Sequence, residues 1–335
     1  LAVLVVLAAG GLVLWGPRGA PRREPGLSVL LVSIDTLRFD ALGSYGKPQA
    51  GTPWMDRLAA EGVRFERAYA HNVVTLPSHA NILSGRYPHE HGVRDIAGFR
   101  FPRALPTLAT LLKQAGYRTG AFVSAFPLDS RFGLDVGFDV YDDAFLNVDA
   151  DVGRQVQQRD GRETVERARR WLEAAGGERT FCFVHLYEPH FPYASYQADV
   201  AAADQALEPL LRPLLERAAD GRTLVVLTSD HGEGLGEHGE ATHSIFAYEA
   251  TLRVPLLLYA PRLFRPRVVP GVAEAVRGVC APTKPPRGRV LMDGRRGATR
   301  RPADAIRAGI VYVPEDRQSQ GAILKFSIAQ NITLP

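Results

Sequence analysis

The chain has 335 residues, 46% hydrophobic and 23% charged, a composition that supports a sizeable core and excludes a disordered or fibrous protein. The formal charge of +4 conceals an asymmetry: residues 261–335 carry 14 Lys and Arg against 5 Asp and Glu, leaving 26 against 31 in residues 1–260. A mildly acidic body with a basic tail implies two segments of different character, and two cysteines, Cys182 and Cys280, exclude a disulfide framework.

The sequence opens on LAVLVVLAAGGLVLW, an uncharged apolar run, followed by the Pro/Gly/Arg stretch GPRGAPRREPG. Residues 1–16 read as a signal peptide or membrane anchor and 17–26 as a linker, which places the body on the periplasmic or extracellular face. The arginines after the run weigh against export under the positive-inside tendency. Leu27 to Ile34 is a continuous Val- and Leu-rich run that meets a carboxylate at Asp35, the pattern of a strand buried on both faces of a parallel sheet. In TPWMDRLAAEGVRFERAYAH, Thr52 caps a helix, Pro53 suits its first turn and Gly62 ends it. VVTLPSHANILSG (73–85) reads as a helix start, with Thr75 and Ser78 as capping hydroxyls.

TLATLLKQAGYRTGAFVSA repeats the order of helix, Gly stop and apolar strand. ETVERARRWLEAAGG is a charged amphipathic helix leading into the strand TFCFVHLY, where Cys182 reads as a small buried hydrophobe. ADVAAADQALEPLLRPLLERAADG is a further helix, and TLVVLTSDHGEG a buried strand that ends in acid and imidazole. This alternation predicts an α/β fold over residues 27–268, a doubly wound, mostly parallel sheet. Ligands of such sheets bind beyond the carboxyl ends of the strands, where Asp35, Glu188, His190, Asp230 and His231 all fall.

All nine histidines lie between His71 and His243. Taken singly, Asp35 suits a strand end or helix cap, and Asp230 and His231 suit a turn that Gly232 and Gly234 permit. Taken together, Asp35, Asp230, His231 and the Thr75 hydroxyl make a four-ligand site for a divalent cation. An imidazole among carboxylates favours Zn or Mn over Ca, which prefers oxygen alone. A cation and a helix N-terminus would both favour the ionised form of Thr75. The same terminus suits the oxygens of a tetrahedral oxyanion.

The collinear order of LLVSIDTLRFDALGSYG, TPWMDRLAAEGVRFERAYA, TLPSHANILSGRYPHEHGVR, HLYEPHFPY and SDHGEGLGEHGE…THS…YEATLRVPLLLYAP resembles the sulfatase family of the alkaline-phosphatase superfamily, from about Leu27 to Pro261. Family sulfatases carry Cys or Ser, matured to formylglycine, in C/S-x-P-S-R. Here the pattern is Thr75-Leu-Pro77-Ser78-His79, and Thr cannot become formylglycine. The chain is similar instead to members with a Thr nucleophile, among them phosphodiesterases, phosphonate hydrolases and phosphoglycerol or phosphoethanolamine transferases. That likeness implies one metal site of Asp35, Thr75, Asp230 and His231, with Thr75 as nucleophile. It sets His190 and His243 beside the leaving group or at a second cation, which Glu188 would complete. His79 stands where sulfatases have Arg, so it would orient Thr75 or contact the oxyanion. His238 reads as a turn residue, and His71, His89 and His91 as loop or core residues. The region after EPHFPYASY is short for the family, where a substrate-lining loop is expected.

From about Gly271 the sequence changes character. VYVPEDR…GAI…SIAQNITLP resembles the ATPase subunits of ABC-type sugar importers, so residues 269–335 form an unrelated basic tail. The phosphate-cradling G-x-x-x-x-G-K-[ST] loop is missing, so this tail is no ATPase on its own. It reads as a fusion or assembly junction that replaced the C-terminal part of the body. The expected function is an extracytoplasmic, metal-dependent hydrolase or transferase that cleaves a sulfate or phosphate ester of a small molecule, lipid or glycan. The alternatives are the same fold without turnover, or a transporter ATPase component. The tail has no nucleic-acid recognition motif, and nothing in the sequence fixes an oligomeric state.

Overall fold

The computed structural model describes residues 26–145, 158–193, 195–216 and 221–274, together with the backbone of short strands at 4–8, 11–15, 22–24, 291–292 and 295–296. The chain divides into two units, 1–282 and 283–335. Of the expected anchor at 1–16 only the backbone of the strands at 4–8 and 11–15 is described, and of the importer-like tail beyond Glu274 only that at 291–292 and 295–296; the rest of both lies outside the described residues. Among those residues, no helix is long and apolar enough to cross a membrane.

The first half of the body contains β1 (Ser28–Ile34), α1 (Pro53–Glu61), β2 (Val63–Tyr69), α2 (Thr75–Ser84), α3 (Leu108–Gln114), β3 (Arg118–Val123) and β4 (Val140–Asp142). The second half adds α4 (Gly161–Ala174), β5 (Thr180–Leu186), α5 (Tyr196–Glu216), β6 (Thr223–Thr228), β7 (Arg253–Val254), β8 (Leu256–Tyr259) and β9 (Arg267–Glu274). Nine strands form one sheet. Its parallel centre runs β4, β3, β5, β1, β6. Beyond β6, β8 joins antiparallel and pairs with β2, which is flanked in turn by β7 and β9. The doubly wound, mostly parallel α/β sheet predicted from the alternation is therefore present.

Side chains alternate across a strand, and β1 feeds two cores in turn. Val29 and Leu31 pack with Leu76 and Leu83 of α2 and Leu108 and Leu112 of α3 on one face. Leu30, Val32 and Ile34 pack on the other face with Met55 and Leu58 of α1, Val165 and Trp171 of α4, and Leu207 and Leu211 of α5. A strand covered on both sides has no polar face, which is why its centre, Val29 to Val32, reads as an apolar run without alternation. In register, Val32 lies between Val184 of β5 and Leu227 of β6, so the carboxyl ends of β1, β5 and β6 finish side by side.

Thr52 stands at the N-cap position of α1 but does not cap it. Its hydroxyl donates to Asp56 Oδ2 at 2.9 Å. The first-turn amides of Trp54 and Met55 donate instead to Asp204 of α5, at 3.1 and 2.8 Å. A buried carboxylate from a neighbouring helix thus does the work expected of the local threonine. Burial raises the Asp204 carboxyl to about 7, in spite of these two amide hydrogen bonds.

In the unfolded chain the Asp204 carboxyl ionises near 3.8, so between roughly pH 4 and 7 the folded protein keeps a proton that the unfolded chain has lost, and this contribution to stability declines as pH rises. Asp204→Asn should therefore show a shallower fall of thermal midpoint across that window than the wild type. Parallel slopes in thermal denaturation would rule this out.

Candidate active site

Two carboxylates meet at the tips of adjacent parallel strands. Asp35 leaves β1, its amide still held by Leu186 O of β5 at 2.9 Å. The next residue, Thr36, has φ 54, a left-handed conformation that is costly for a β-branched residue. This turn aims its amide at Asp230 Oδ1, 3.3 Å away. Asp230 Oδ1 also accepts from the His231 amide at 2.9 Å and the Ser229 hydroxyl at 3.4 Å. With Oδ1 so occupied, the other oxygen of Asp230 is turned toward Asp35 and His231.

His231 Nδ1 donates to Gly232 O at 3.0 Å, which leaves the lone pair on Nε2. That atom lies 3.3 Å from Asp230 Oδ2 and 3.9 Å from Asp35 Oδ1. Asp35 Oδ1, Asp230 Oδ2 and His231 Nε2 are all buried without a hydrogen-bond partner, and one donor atom from each lies within 4.8 Å of the others. Orphaned buried acceptors are rare, and three that converge fit a divalent cation with a mixed oxygen and nitrogen shell. Among the described residues this is the one such group of three. Burial raises both carboxyls, Asp230 further through the charge of Asp35, and holds His231 well below the usual imidazole range.

Thr75 is the first residue of α2 and is 2% exposed. Neither hydroxyl of the opening stretch caps the helix, whose N-cap is Val74. The Thr75 hydroxyl turns to Asp35 Oδ2 at 3.4 Å, and that of Ser78 donates to Asp230 O at 2.7 Å. Pro77 supplies no amide, so the helix start presents the N–H groups of Thr75 and Leu76, which have no acceptor within the helix. His79 lies wholly buried beneath Thr75. It donates from Nδ1 to Thr75 O and accepts at Nε2 from Ser33 Oγ, both at 2.9 Å. Burial lowers it to about 3, a neutral ring that braces the first turn of α2.

The loop after β6 carries the remaining groups. Gly232 and Gly234 are required for space and not for a left-handed turn. A Cβ on Gly232 would lie 2.0 Å from Ala250 O, and one on Gly234 would lie 2.4 Å from Thr242 O. Glu233, fully buried, accepts from His243 Nδ1 at 3.0 Å. Burial works to lower His243, but the hydrogen bond and charge of Glu233 outweigh it, so this imidazole is raised. Its ring packs 4.5 Å from that of His231 and 5.0 Å from that of His190. His190 donates from Nδ1 to Phe191 O at 2.6 Å, and burial lowers it. Arg38 fastens this loop to the exit of β1, bonding Asp40, Glu237 and Glu233 O.

Glu188 stands outside the three-donor group. Its Oε1 accepts the Gly161 amide at 3.1 Å, at the start of α4, and its Oε2 is buried without a hydrogen-bond partner. His238 occupies a left-handed turn position and stacks on Tyr248. His71 and His89 pack on Tyr87, and His91 is bonded to Asn81. Sequence reasoning passed over His185, whose Nε2 lies 3.4 Å from Asp35 Oδ2, and over Glu233. The first is hidden inside an apolar run. For the second, the ten-residue separation from its partner gives no periodic signal.

A doubly wound sheet that gathers acid, imidazole and a helix start at its carboxyl edge defines an alkaline-phosphatase-like α/β architecture. The sulfatase profile matches residues 28–278, and the chain belongs to the sulfatase family. It is 23% identical to the Δ4,5-hexuronate-2-O-sulfatase of Bacteroides thetaiotaomicron, over 75% of this chain and 65% of that protein. Two solved structures share the fold. The phosphonate monoester hydrolase of Agrobacterium radiobacter aligns with TM-score 0.61 at 18% identity, covering 75% of this chain and 71% of that one. A protein solved with its substrate D-glucosamine-2-N,6-O-disulfate aligns with TM-score 0.63 at 21% identity, covering 88% and 78%. The chain spans less than two thirds of the length of the curated relatives it matches. A separate 65-residue match, 51% identical, is to a ribose import ATP-binding protein of Rhizobium meliloti and covers 19% of this chain and 13% of that protein.

Asp230→Asn would keep the Oδ1 acceptor and place an amide N–H beside His231 Nε2, while removing one of two buried carboxylates. The metal-free variant should therefore melt at or above the wild type at pH 8, and added Mn²⁺ or Zn²⁺ should raise the melting temperature of the wild type but not that of the variant. A destabilised variant that keeps the full metal-induced rise would contradict this reading of the site.

Proposed function

We propose that the protein is a metal-dependent hydrolase or transferase that cleaves a sulfate, phosphonate or phosphate ester, with Thr75 as nucleophile. The observation that carries this is the placement of the Thr75 hydroxyl against Asp35 Oδ2, beside three buried donor atoms without partners. Asp35, Asp230 and His231, with Thr75, would hold the cation, for which Zn or Mn suits the imidazole better than Ca. Bound there, it supplies Lewis-acid polarisation and lowers the pKa of a coordinated hydroxyl.

The chain's own groups account for the rest. Thr75 Oγ1 forms a bond to sulfur or phosphorus as the bond to the leaving oxygen breaks, and the threonine proton passes to Asp35 Oδ2, its present hydrogen-bond acceptor. The amides of Thr75 and Leu76 face the anionic oxygens from a helix start. His243, raised by Glu233, is suited to deliver a proton to the leaving oxygen, with His190 packed beside it. Water or an acceptor alcohol then bonds to sulfur or phosphorus as the bond to Thr75 Oγ1 breaks; Thr75 recovers the proton held on Asp35, and the proton of the attacking oxygen passes to His243, which restores both groups.

The relatives name sulfated sugars and a phosphonate monoester as what those proteins act on, which favours a small glycan ester for this chain. Exposed Phe191 next to His190, and Ile245 and Phe246 beyond His243, offer apolar contact to such a leaving group. The apolar run at residues 1–16 favours attachment to the outer face of a membrane.

Thr75→Ala should lose at least about 10³-fold in kcat/KM on nitrophenyl sulfate, phosphate and phosphonate esters with added Mn²⁺ or Zn²⁺, while its circular dichroism is unchanged. Full turnover by this variant would remove the nucleophile.

A further inference from the structure

We propose that His185 is a positioning residue for Asp35, and that it selects which carboxylate oxygen of Asp35 faces the cation site. The proposal rests on the reading of Asp35, Asp230 and His231 as cation ligands. His185 sits near the end of β5, a strand buried throughout, directly opposite Ser33 of β1. An imidazole in such surroundings is costly unless its nitrogens are used.

One nitrogen is committed. Nδ1 accepts the Ser124 amide at 3.5 Å, and the carbonyl of the same residue accepts the Ser124 hydroxyl at 2.8 Å. With Nδ1 as acceptor, the proton resides on Nε2. That atom is buried without a hydrogen-bond partner and lies 3.4 Å from Asp35 Oδ2, close enough to donate to it after a small shift. The Thr75 hydroxyl approaches the same oxygen at the same distance.

Two donors therefore gather on Oδ2, and Oδ1 is left pointing toward His231 Nε2 and Asp230 Oδ2. A carboxylate with one oxygen anchored cannot exchange its two faces freely. The geometry opposes the competing role of direct ligand. Ligation through Nε2 would require the proton on Nδ1, which faces an N–H group.

The test uses the full chain and three variants. His185→Gln sets an amide N–H near the place of Nε2–H, whereas His185→Phe keeps the ring's bulk without a donor. His185→Asn reaches only the place of Nδ1, so its amide leaves Asp35 Oδ2 without a donor from this position, and it gives a second such form should the Phe variant not fold. Mn²⁺ affinity is measured by isothermal titration calorimetry, with circular dichroism as the check on folding. The donor-free variants should bind Mn²⁺ about 10–100-fold more weakly, and His185→Gln should recover most of that loss. Wild-type affinity in His185→Phe or His185→Asn, with Asp230→Asn still defective, would overturn the role of His185 alone. Equal loss in the Gln and donor-free variants would also overturn it, in favour of direct ligation or general packing. No Mn²⁺ binding by the wild type would overturn the cation-site reading and this proposal together.

Discussion

Two acidic side chains held close together in a region closed to water are the constraint around which this molecule is arranged. Carboxylates do not gather in a protein interior unless something offsets their desolvation and mutual repulsion. Here Asp230 keeps one oxygen in a nest of N–H and O–H donors from Thr36, Ser229 and His231. The other oxygen, with Asp35 Oδ1 and His231 Nε2, is directed at a common point. The left-handed Thr36, the glycines packed against Ala250 and Thr242, and the buried His79 all preserve that convergence. Each costs something locally, and each makes sense only through the site it shapes.

The opening of α2 shows how the sheet edge reassigns side chains that look ordinary in isolation. A Thr and a Ser before an apolar helix suggest capping, yet both hydroxyls turn to residues of the sheet edge, Asp35 and the Asp230 carbonyl. The helix is left with amides that have no acceptor of their own, and a proline removes one that would otherwise be exposed. The same redistribution occurs at α1, where Asp204 of α5 supplies the acceptor that Thr52 does not. Local sequence placed both helix starts correctly but named the wrong partner in each case.

Much of the architecture was legible because burial on two faces leaves a strong mark. The runs 27–34, 180–186 and 223–228 are apolar on both faces at their centres, with polar residues only at or next to their ends, and each is followed within two residues by an acid. What escaped was information about direction. Glu188 and His190 both follow β5, and nothing in EPH says that the acid turns to the start of α4 while the imidazole packs against His243. His185 was invisible for a related reason, since one polar residue in an apolar strand resembles core until its neighbours are known. Thr75 stood out only because four residues of three types, from distant segments, were considered jointly.

The segments that meet at Asp35 are far apart along the polypeptide, with 194 positions between Thr36 and the carboxylate its amide holds. Strand β6, which brings Asp230, is inserted between β1 and β8 and lies late in the sequence. A nascent chain would therefore expose Asp35 and Thr75 long before their partners were synthesised. Such high contact order slows assembly, and because the site is complete only when β1, α2 and β6 have come together, it is a sensitive reporter that the centre of the sheet has closed.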